Sequence, residues 1–320
     1  MPAFDIQPYI QQAPAQVRQR IRTGIIDFPT AGMAAGYAQA NLVILPQMYV
    51  HDFREWIRQN PQACPLLETV KQAPLTKTIA RHANICTDIP RYRLYENGHF
   101  TKEIIDATPY WQADMVGFLI GCSFSFEEAL LKAGIEIRHL TEKHNVPMYK
   151  TNIMTSPVGR FKGPMVVSMR PMSPAKAHLA RQITAQMPNV HGAPIQIGDP
   201  AAIGISDLDH PDYGDADTIK PGEVPVFWPC GVTPQAAIEN AKLPLVITHA
   251  PGHMFITDIQ NAELNDYLDA HQPEWSQLNH LLAQLAVLDD WFYYLITPKN
   301  RTASLMVLYP VKVTLKKIKN

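Results

Sequence analysis

The chain has 320 residues, and with 46% hydrophobic and 18% charged residues it can bury a sizeable core and is not globally disordered. Its 28 basic and 29 acidic residues nearly cancel, which excludes the one-signed surface that proteins use to bind nucleic acids or anionic membranes. No apolar run reaches the roughly 20 residues that span a bilayer, and the first residues lack the pattern of a secretory signal. We therefore expect a cytoplasmic protein that acts on a small molecule.

The first part of the chain has the pattern of alternating helices and strands. APAQVRQRIRTG predicts a helix that Gly24 closes, and further helices are predicted over residues 33–40 and 49–59. Residues 42–45 form an apolar strand between those two helices. DIPRYRLYENG and GHFTKEI predict a hairpin around an Asn-Gly turn.

Residues 111–134 predict two helices that are separated at Gly121. Ser125 stands three residues before Glu128, which is the spacing of a capping box. The second helix is therefore expected to begin near Ser125 and to end at Gly134.

The second half of the chain determines the predicted fold class. Strand MVVSMRP, helix SPAKAHLARQITAQM and strand PIQIG are followed by strand VPVFWPCG, helix TPQAAIENAK and strand LPLVITH. The last three elements have the pattern of a βαβ crossover, which joins parallel strands. We expect an α/β fold with a partly parallel sheet flanked by helices and a second, smaller α+β subdomain at roughly residues 155–240.

Two predicted helix starts carry cysteine and serine side chains. GCSFSFEEALLKAG places Cys122, Ser123 and Ser125 at a helix N-terminus, which favours a bound carboxylate and lowers the pKa of a thiol. PCGVTPQAAIENAK places Thr233 at a helix N-cap and Cys230 at the end of a strand, where open α/β sheets bind ligands. The alternative is that these residues are ordinary caps and small buried side chains.

Histidines next to tight turns are candidates for acid–base chemistry, because the histidine pKa lies near neutral pH. His191 and Asp199 flank a short apolar strand, and His249, His253 and Asp258 lie in ITHAPGHMFITD. A metal site at the last three residues is an alternative, as is a structural histidine pair. We predict no metal and no other cofactor, with a divalent metal as the alternative.

Four further polar residues are candidates for substrate binding. Asn145, Tyr149 and Asn152 can hydrogen-bond an amine or a carboxylate. Arg170, at the end of an apolar strand, has the bidentate geometry of a carboxylate clamp, and a salt bridge at a strand end is the alternative.

These motifs together resemble the D-glutamate cyclase family, whose bacterial members carry a provisional hydro-lyase label. The resemblance spans about residues 16–262 and rests on TAGMAAGYAQANLVILP, CPLLE, DIPRYRLY, GFLIGCSFSFEEALLKAGI, NVPMYKTNI, GPMVVSMRP, HGAPIQIGDPAAIGI, PGEVPVFWPCGVTPQAAI and ITHAPGHMFITD. It implies an α/β domain coupled to a smaller α+β domain, and a lyase of the hydro-lyase type. One branch of the family closes D-glutamate to 5-oxo-D-proline with loss of water.

The implied chemistry distributes roles among the candidate residues. A carboxylate substrate would be held by Arg170 or by the helix start at Cys122, and one histidine would act as the base while an aspartate orients it. The predicted catalytic residues are His249, His253, Cys122, Asp199 and Asp258. The predicted substrate-binding residues are Ser123, Ser125, Asn145, Tyr149, Asn152, Arg170, His191 and Cys230.

Two other functions remain open at this point. In a two-cysteine isomerase, the sulfurs of Cys122 and Cys230 would bracket one carbon within roughly 8 Å. In a non-catalytic binding or regulatory module, an exposed apolar face would replace the polar pocket. A homo-oligomer is compatible with each of these functions.

Residues 1–262 form the part of the chain that resembles the family, and residues 263–320 have no recognised counterpart. The extension predicts a helix around residues 275–288 and has a basic end with Lys312, Lys316, Lys317 and Lys319. We interpret it as an appended docking segment or as an altered reading of the 3′ end of the gene.

Overall fold

Two antiparallel sheets and the helices packed on them make up residues 5–272, the part of the chain that the computed structural model describes. The strands are β1 (Tyr37–Pro46), β2 (Leu66–Lys71), β3 (Tyr92–Glu96), β4 (His99–Ile104), β5 (Met115–Gly121), β6 (Met148–Met154), β7 (Pro164–Met172), β8 (Gln196–Ile197), β9 (Val224–Pro229), β10 (Val246–His249) and β11 (Phe255–Gln260). The α-helices are α1 (Pro14–Arg22), α2 (Val50–Gln59), α3 (Phe124–Lys132), α4 (Arg138–Glu142), α5 (Pro174–Ala185), α6 (Thr233–Ala241) and α7 (Leu264–His271).

The larger sheet has the strand order β2-β5-β1-β10-β3-β4, and β11 also pairs with β1. Strand β1 lies at its centre, where Val43 is opposite Phe118 of β5 on one side and Thr248 of β10 on the other. The smaller sheet has the order β6-β7-β9-β8, with Ser168 of β7 opposite Trp228 of β9. Every strand pair among the described residues is antiparallel.

The predicted parallel crossover is therefore wrong, although its three elements are present. Strand β9 belongs to the smaller sheet, α6 follows it, and β10 enters the larger sheet antiparallel to β1 and β3. Helix α6 thus connects two sheets instead of two strands of one sheet. The sequence pattern could not show this, because a buried apolar strand has the same composition beside either kind of neighbour.

Two predicted helices are also wrong. Met115–Gly121 is strand β5, and all seven of its residues are buried, because it is an inner strand and its side chains pack in two different core clusters. A fully buried strand is apolar on both faces, so its run resembles a buried helix. Residues 33–40 contain turns with Ala34 at φ 45° and Gly36 at φ 91°, after which β1 begins at Tyr37.

Elements with strong local signals are confirmed. Helix α2 buries Phe53, Trp56 and Ile57 on one face. The hairpin β3–β4 turns at Asn97 and Gly98, whose φ values of 51° and 81° are those of a type I′ turn.

Helix α3 begins within one residue of the predicted position. It starts at Phe124 and ends at Lys132, just before Gly134, whose φ of 75° closes the helix as expected. Ser125 does not cap the helix, however, because its Oγ accepts a hydrogen bond from the backbone N of Gln39 at 2.9 Å.

The main hydrophobic core joins the two sheets. It contains Leu42 of β1, Leu119 of β5, Phe126 of α3, Ala180 of α5 and Trp228 of β9. Helix α3 therefore has one side packed against elements of both sheets, and this position carries the polar side chains described below.

No helix within residues 5–272 is both long enough and apolar enough to cross a membrane. The structure describes the first part of the predicted C-terminal extension, up to residue 272, which contains α7. The helix predicted around residues 275–288 and the basic end with Lys312, Lys316, Lys317 and Lys319 lie outside the described residues.

Candidate active site

A buried arginine and a buried glutamate form the centre of the candidate site. Arg170 of β7 is fully buried, and its Nε donates a hydrogen bond to Glu127 Oε1 at 3.0 Å. Nη2 of Arg170 donates to the same oxygen and, at 3.2 Å, to Ser123 Oγ. Nη1 donates to Ser168 Oγ at 3.0 Å. The guanidinium is thus held by an ion pair and two hydroxyl groups.

Aromatic rings cover the same guanidinium. Its central carbon lies 4.9 Å from the ring centroid of Phe126 and 5.6 Å from that of Trp228. Cation–π attraction of this kind is strongest where water is excluded. Arg170 therefore binds a protein carboxylate and does not present a free clamp for substrate, which corresponds to the salt-bridge alternative considered for it.

Glu127 is not among the predicted site residues, although the sequence contains a local signal for it. Phe124, Glu127 and Leu130 are all buried on helix α3, and their spacing of three residues places them on one face. A glutamate on the apolar face of an amphipathic helix is unusual, because a buried carboxylate requires a partner. The partner, Arg170, is 43 residues away in the sequence.

His139 of α4 is the third member of this cluster. Its ring is fully buried, and its Nε2 lies 3.2 Å from Glu127 Oε1. Burial alone raises the pKa of Glu127, but the charges and hydrogen bonds of His139 and Arg170 lower it overall. Glu127 is therefore a carboxylate at neutral pH. Its Oε2 has no hydrogen-bond partner among residues 5–272.

A cavity of about 460 Å³ borders this cluster. Glu127 belongs to its wall, together with Gln39, Phe124, Leu140 and Lys143. The volume lies within the range typical of small-molecule sites. The arrangement combines an ionised carboxylate, a neighbouring imidazole and a space that a small acid can enter, which are the requirements for proton transfer to or from a bound substrate.

The start of helix α3 does not have the predicted reactive thiol. The side chain of Cys122 is buried, and burial raises the pKa of its thiol well above the usual range. The lowering expected from the helix N-terminus is therefore wrong, because desolvation outweighs the helix dipole at this position.

Cys122 and Cys230 belong to one apolar cluster that also contains Val166 and Met254. Burial raises the pKa of the Cys230 thiol to about 11. Both thiols are protonated at neutral pH, so this pair lacks the thiolate that a two-cysteine isomerase requires. Thr233 is the first residue of helix α6, so the helix begins one residue before the predicted position, and Thr233 Oγ1 donates to Cys230 O at 2.7 Å.

The three predicted histidines are buried and hydrogen-bonded to the backbone. Nδ1 of His249 lies 3.1 Å from Leu42 N, and Nδ1 of His253 lies 3.0 Å from Pro251 O. Nδ1 of His191 lies 2.9 Å from Gln62 O. Burial lowers the pKa to about 3 for His249 and to about 4 for His253 and His191, so all three rings are neutral at pH 7.

Asn145 is brought close to one of these histidines. Its Nδ2 donates to Pro251 O at 3.0 Å, the same carbonyl that Nδ1 of His253 contacts. The Oδ1 atom of Asn145 has no hydrogen-bond partner within residues 5–272. Asn145 and His253 thus hold the turn between β10 and β11 against the segment before β6.

Four predicted site residues lie elsewhere. Asp199 is exposed and accepts a hydrogen bond from Ala201 N, and Asp258 pairs with Arg18 at 2.8 Å. In the described part of the chain no hydrogen bond or ion pair joins either aspartate to His191, His249 or His253, so the structure does not bring the predicted orienting pairs together. Tyr149 OH donates to Leu208 O at 2.7 Å, and Asn152 is exposed.

Comparisons with known proteins assign the chain to a family. The sequence profile of the D-glutamate cyclase family matches residues 116–258. A protein from Stutzerimonas stutzeri named "Putative hydro-lyase" is 52% identical over 262 residues, which cover 82% of this chain and 99% of that protein. The chain belongs to the D-glutamate cyclase family. Similarly named proteins from Bacillus velezensis and Bacillus subtilis are 56% and 55% identical over 253 residues, covering 79% of this chain and 96% and 98% of theirs.

This member of the D-glutamate cyclase family also has a group of potential metal ligands that was not predicted. Glu142, His144 and Asp217 each present a ligand atom, and these atoms lie within 4.8 Å of one another. Among the described residues, the set of His249, His253 and Asp258, which the sequence analysis gave as an alternative metal site, does not form such a group. The sequence gives no local signal for this group, because Asp217 lies more than 70 residues after the other two in the chain.

Proposed function

We propose that the protein is a lyase that removes water from a small amino or hydroxy acid, and that closure of D-glutamate to 5-oxo-D-proline is the first reaction to test. Membership of the D-glutamate cyclase family supports this proposal. The observation that carries it is Glu127, a residue of the cavity wall whose carboxylate is ionised and has one oxygen without a hydrogen-bond partner within residues 5–272.

The proposed reaction requires two proton transfers. The α-amino nitrogen of glutamate forms a bond to the γ-carboxyl carbon, and one oxygen of that carboxyl group leaves as water with two protons from the ammonium group. Glu127 accepts a proton from the ammonium group and delivers it to the departing oxygen. His139 and Arg170 keep Glu127 in place and ionised between turnovers.

The substrate carboxylate needs a cationic partner other than Arg170, whose guanidinium is bonded to Glu127. Lys143 is the basic residue in the wall of the cavity, and Gln39 adds a polar group there. We assign the α-carboxylate to Lys143 because a lysine ammonium attracts a carboxylate without requiring a fixed geometry.

Elimination of water from a hydroxy acid would use the same groups. Glu127 would take the proton from the carbon next to the carboxylate, and a protonated group would donate a proton to the departing hydroxyl group. The two reactions are distinguished by the acid that the protein turns over. Amino acids and hydroxy acids are therefore tested in one assay.

Proton NMR of the purified full-length protein with D-glutamate, L-glutamate and a panel of small hydroxy acids tests the proposal. We expect a time-dependent appearance of 5-oxoproline from D-glutamate, or of an unsaturated or ketone product from a hydroxy acid. The absence of turnover across the panel, with and without divalent metal ions, would overturn the proposal.

Three further expectations stay predictions. A cytoplasmic location, a homo-oligomeric state and a division of residues 1–262 into two subdomains, the smaller at roughly 155–240, are consistent with the proposed metabolic role. Cell fractionation, light scattering and limited proteolysis, respectively, measure these properties.

A further inference from the structure

Glu142, His144 and Asp217 converge from two segments of the chain. Glu142 is the last residue of α4, and Lys143 after it has φ of 58°, a left-handed conformation that ends the helix. His144 follows, and its Nε2 lies 3.0 Å from Glu142 Oε2. Asp217 comes from the segment before β9, and its Oδ1 lies 3.6 Å from the same Nε2.

Asp217 provides the observation that points to a bound ligand. Its side chain is 0% exposed, yet neither carboxylate oxygen has a hydrogen-bond partner within residues 5–272. The separation of 3.6 Å from His144 Nε2 is longer than a hydrogen bond. Buried carboxylates are normally paired closely or bound to a metal, because an uncompensated buried charge is strongly unfavourable.

The orientation of His144 fits the same interpretation. Its Nδ1 lies 3.0 Å from Asn145 O, and a carbonyl oxygen can only accept, so Nδ1 carries the proton. The other nitrogen, Nε2, faces two carboxylates, and once it has released its proton its lone pair is available to a metal ion bound between them. Metal-binding histidines typically donate their other N–H to a backbone carbonyl in this way, which fixes the ring for coordination.

We propose that Glu142, His144 and Asp217 bind one divalent transition-metal ion of the zinc or manganese class. Metal–ligand distances of about 2.0–2.1 Å imply separations of about 3.3–3.4 Å between the ligand atoms of a tetrahedral site. The separations of 3.0 and 3.6 Å at His144 Nε2 lie on either side of this value. Three protein ligands leave the fourth position open to water or to an acid.

One neighbouring contact is compatible with the site. The backbone N of Thr218 donates to Glu142 Oε2 at 3.2 Å, which leaves a second lone pair on that oxygen for the metal. The same contact orients the carboxylate, as outer hydrogen bonds commonly do in metal sites.

Metal titration of the full-length protein tests this proposal and does not depend on turnover. After treatment with a chelator, isothermal titration calorimetry with zinc, manganese and magnesium chlorides gives stoichiometry and affinity. We expect one zinc or manganese ion per chain and much weaker magnesium binding, because magnesium prefers oxygen ligands. Zinc should also raise the melting temperature.

Asp217→Asn removes the ligand charge with little change in shape, and we expect it to weaken zinc binding by about 100-fold or more. The matched control is Asp207→Asn, since Asp207 pairs with His210 at 2.7 Å on the surface without a third ligand. Circular dichroism confirms that each variant is folded, and His144→Gln provides a second ligand variant. The proposal is overturned if the wild-type protein binds no ion, or if Asp217→Asn binds zinc as tightly as Asp207→Asn. Either result leaves the proposed lyase reaction to be decided by its own assay.

Discussion

Replacing Glu127 by glutamine perturbs the candidate site at its most buried charge. The substitution keeps the size of the side chain and removes the negative charge opposite Arg170. The guanidinium then loses its ion pair while remaining fully buried, with Ser123 and Ser168 as its remaining polar partners. His139 loses the same carboxylate at 3.2 Å.

The expected loss of stability is large. Removing one partner of a buried ion pair typically costs about 3–5 kcal/mol, because the other charge remains in a medium that solvates it poorly. For a domain of this size, that corresponds to a fall in melting temperature of roughly 10 °C. The neighbouring Glu128 provides a matched control, because its carboxylate pairs with Lys132 on the surface of the same helix. Glu128→Gln should change the stability by no more than about 0.5 kcal/mol.

Urea unfolding followed by circular dichroism measures both variants. The double variant Glu127→Gln with Arg170→Met removes both charges, so it should lose less stability than the sum of the two single substitutions by at least about 1 kcal/mol. If Glu127→Gln is as mild as Glu128→Gln, or if the two substitutions are additive, the buried ion pair does not hold this region together as described.

Three other predictions concern separate features. Burial lowers the pKa of His249 from 6.5 to about 3, so below pH 6.5 the unfolded chain binds a proton that the native ring does not. The contribution of this residue to stability should be full well above pH 6.5 and fall toward pH 3, by about 1.6 kcal/mol between pH 6.5 and 5. His249→Gln should therefore flatten the pH dependence of urea-unfolding free energies measured across that range. Gly98→Ala should lower the free energy of unfolding by at least about 1 kcal/mol in the same assay, because φ is +81° and the added Cβ would lie 2.6 Å from Glu239 O. An unchanged urea midpoint would contradict the turn geometry. The four buried free cysteines should react slowly with a disulfide-based thiol reagent in the native protein and promptly in denaturant, whereas rapid labelling of the native protein would mean that Cys122 or Cys230 is accessible.

The elements that the sequence predicts correctly are those whose signal lies in neighbouring residues. The Asn97–Gly98 turn, the end of α3 at Gly134 and the apolar face of α2 each have their signal within a few positions. The pairing of strands in a sheet has no such local signal. VPVFWP and LPLVITH are apolar because both strands are buried, and burial alone cannot show that they belong to different sheets.

Part of the candidate site is likewise predictable, because some of its residues have a local sequence signal and others do not. Arg170 and Ser123 were recognised from their positions at a strand end and a helix start, and the structure brings them together. Glu127 was overlooked because glutamate is common on helix surfaces, and its burial depends on Arg170 and His139 from other segments. The histidines and cysteines have suitable chemistry, but burial keeps them neutral at pH 7, and His249 and His253 are hydrogen-bonded to the backbone.

The rate of water loss from the substrate in Glu127→Gln is the most direct test of the proposed role of Glu127. The measurement is kcat/KM by NMR, at a temperature where circular dichroism shows the variant to be folded. The control is Glu55→Gln, which alters a pair with Arg58 that does not belong to the cavity wall. We predict a fall of about 10²–10⁴-fold for Glu127→Gln and none for Glu55→Gln. Full activity in folded Glu127→Gln would contradict the assignment of proton transfer to this carboxylate.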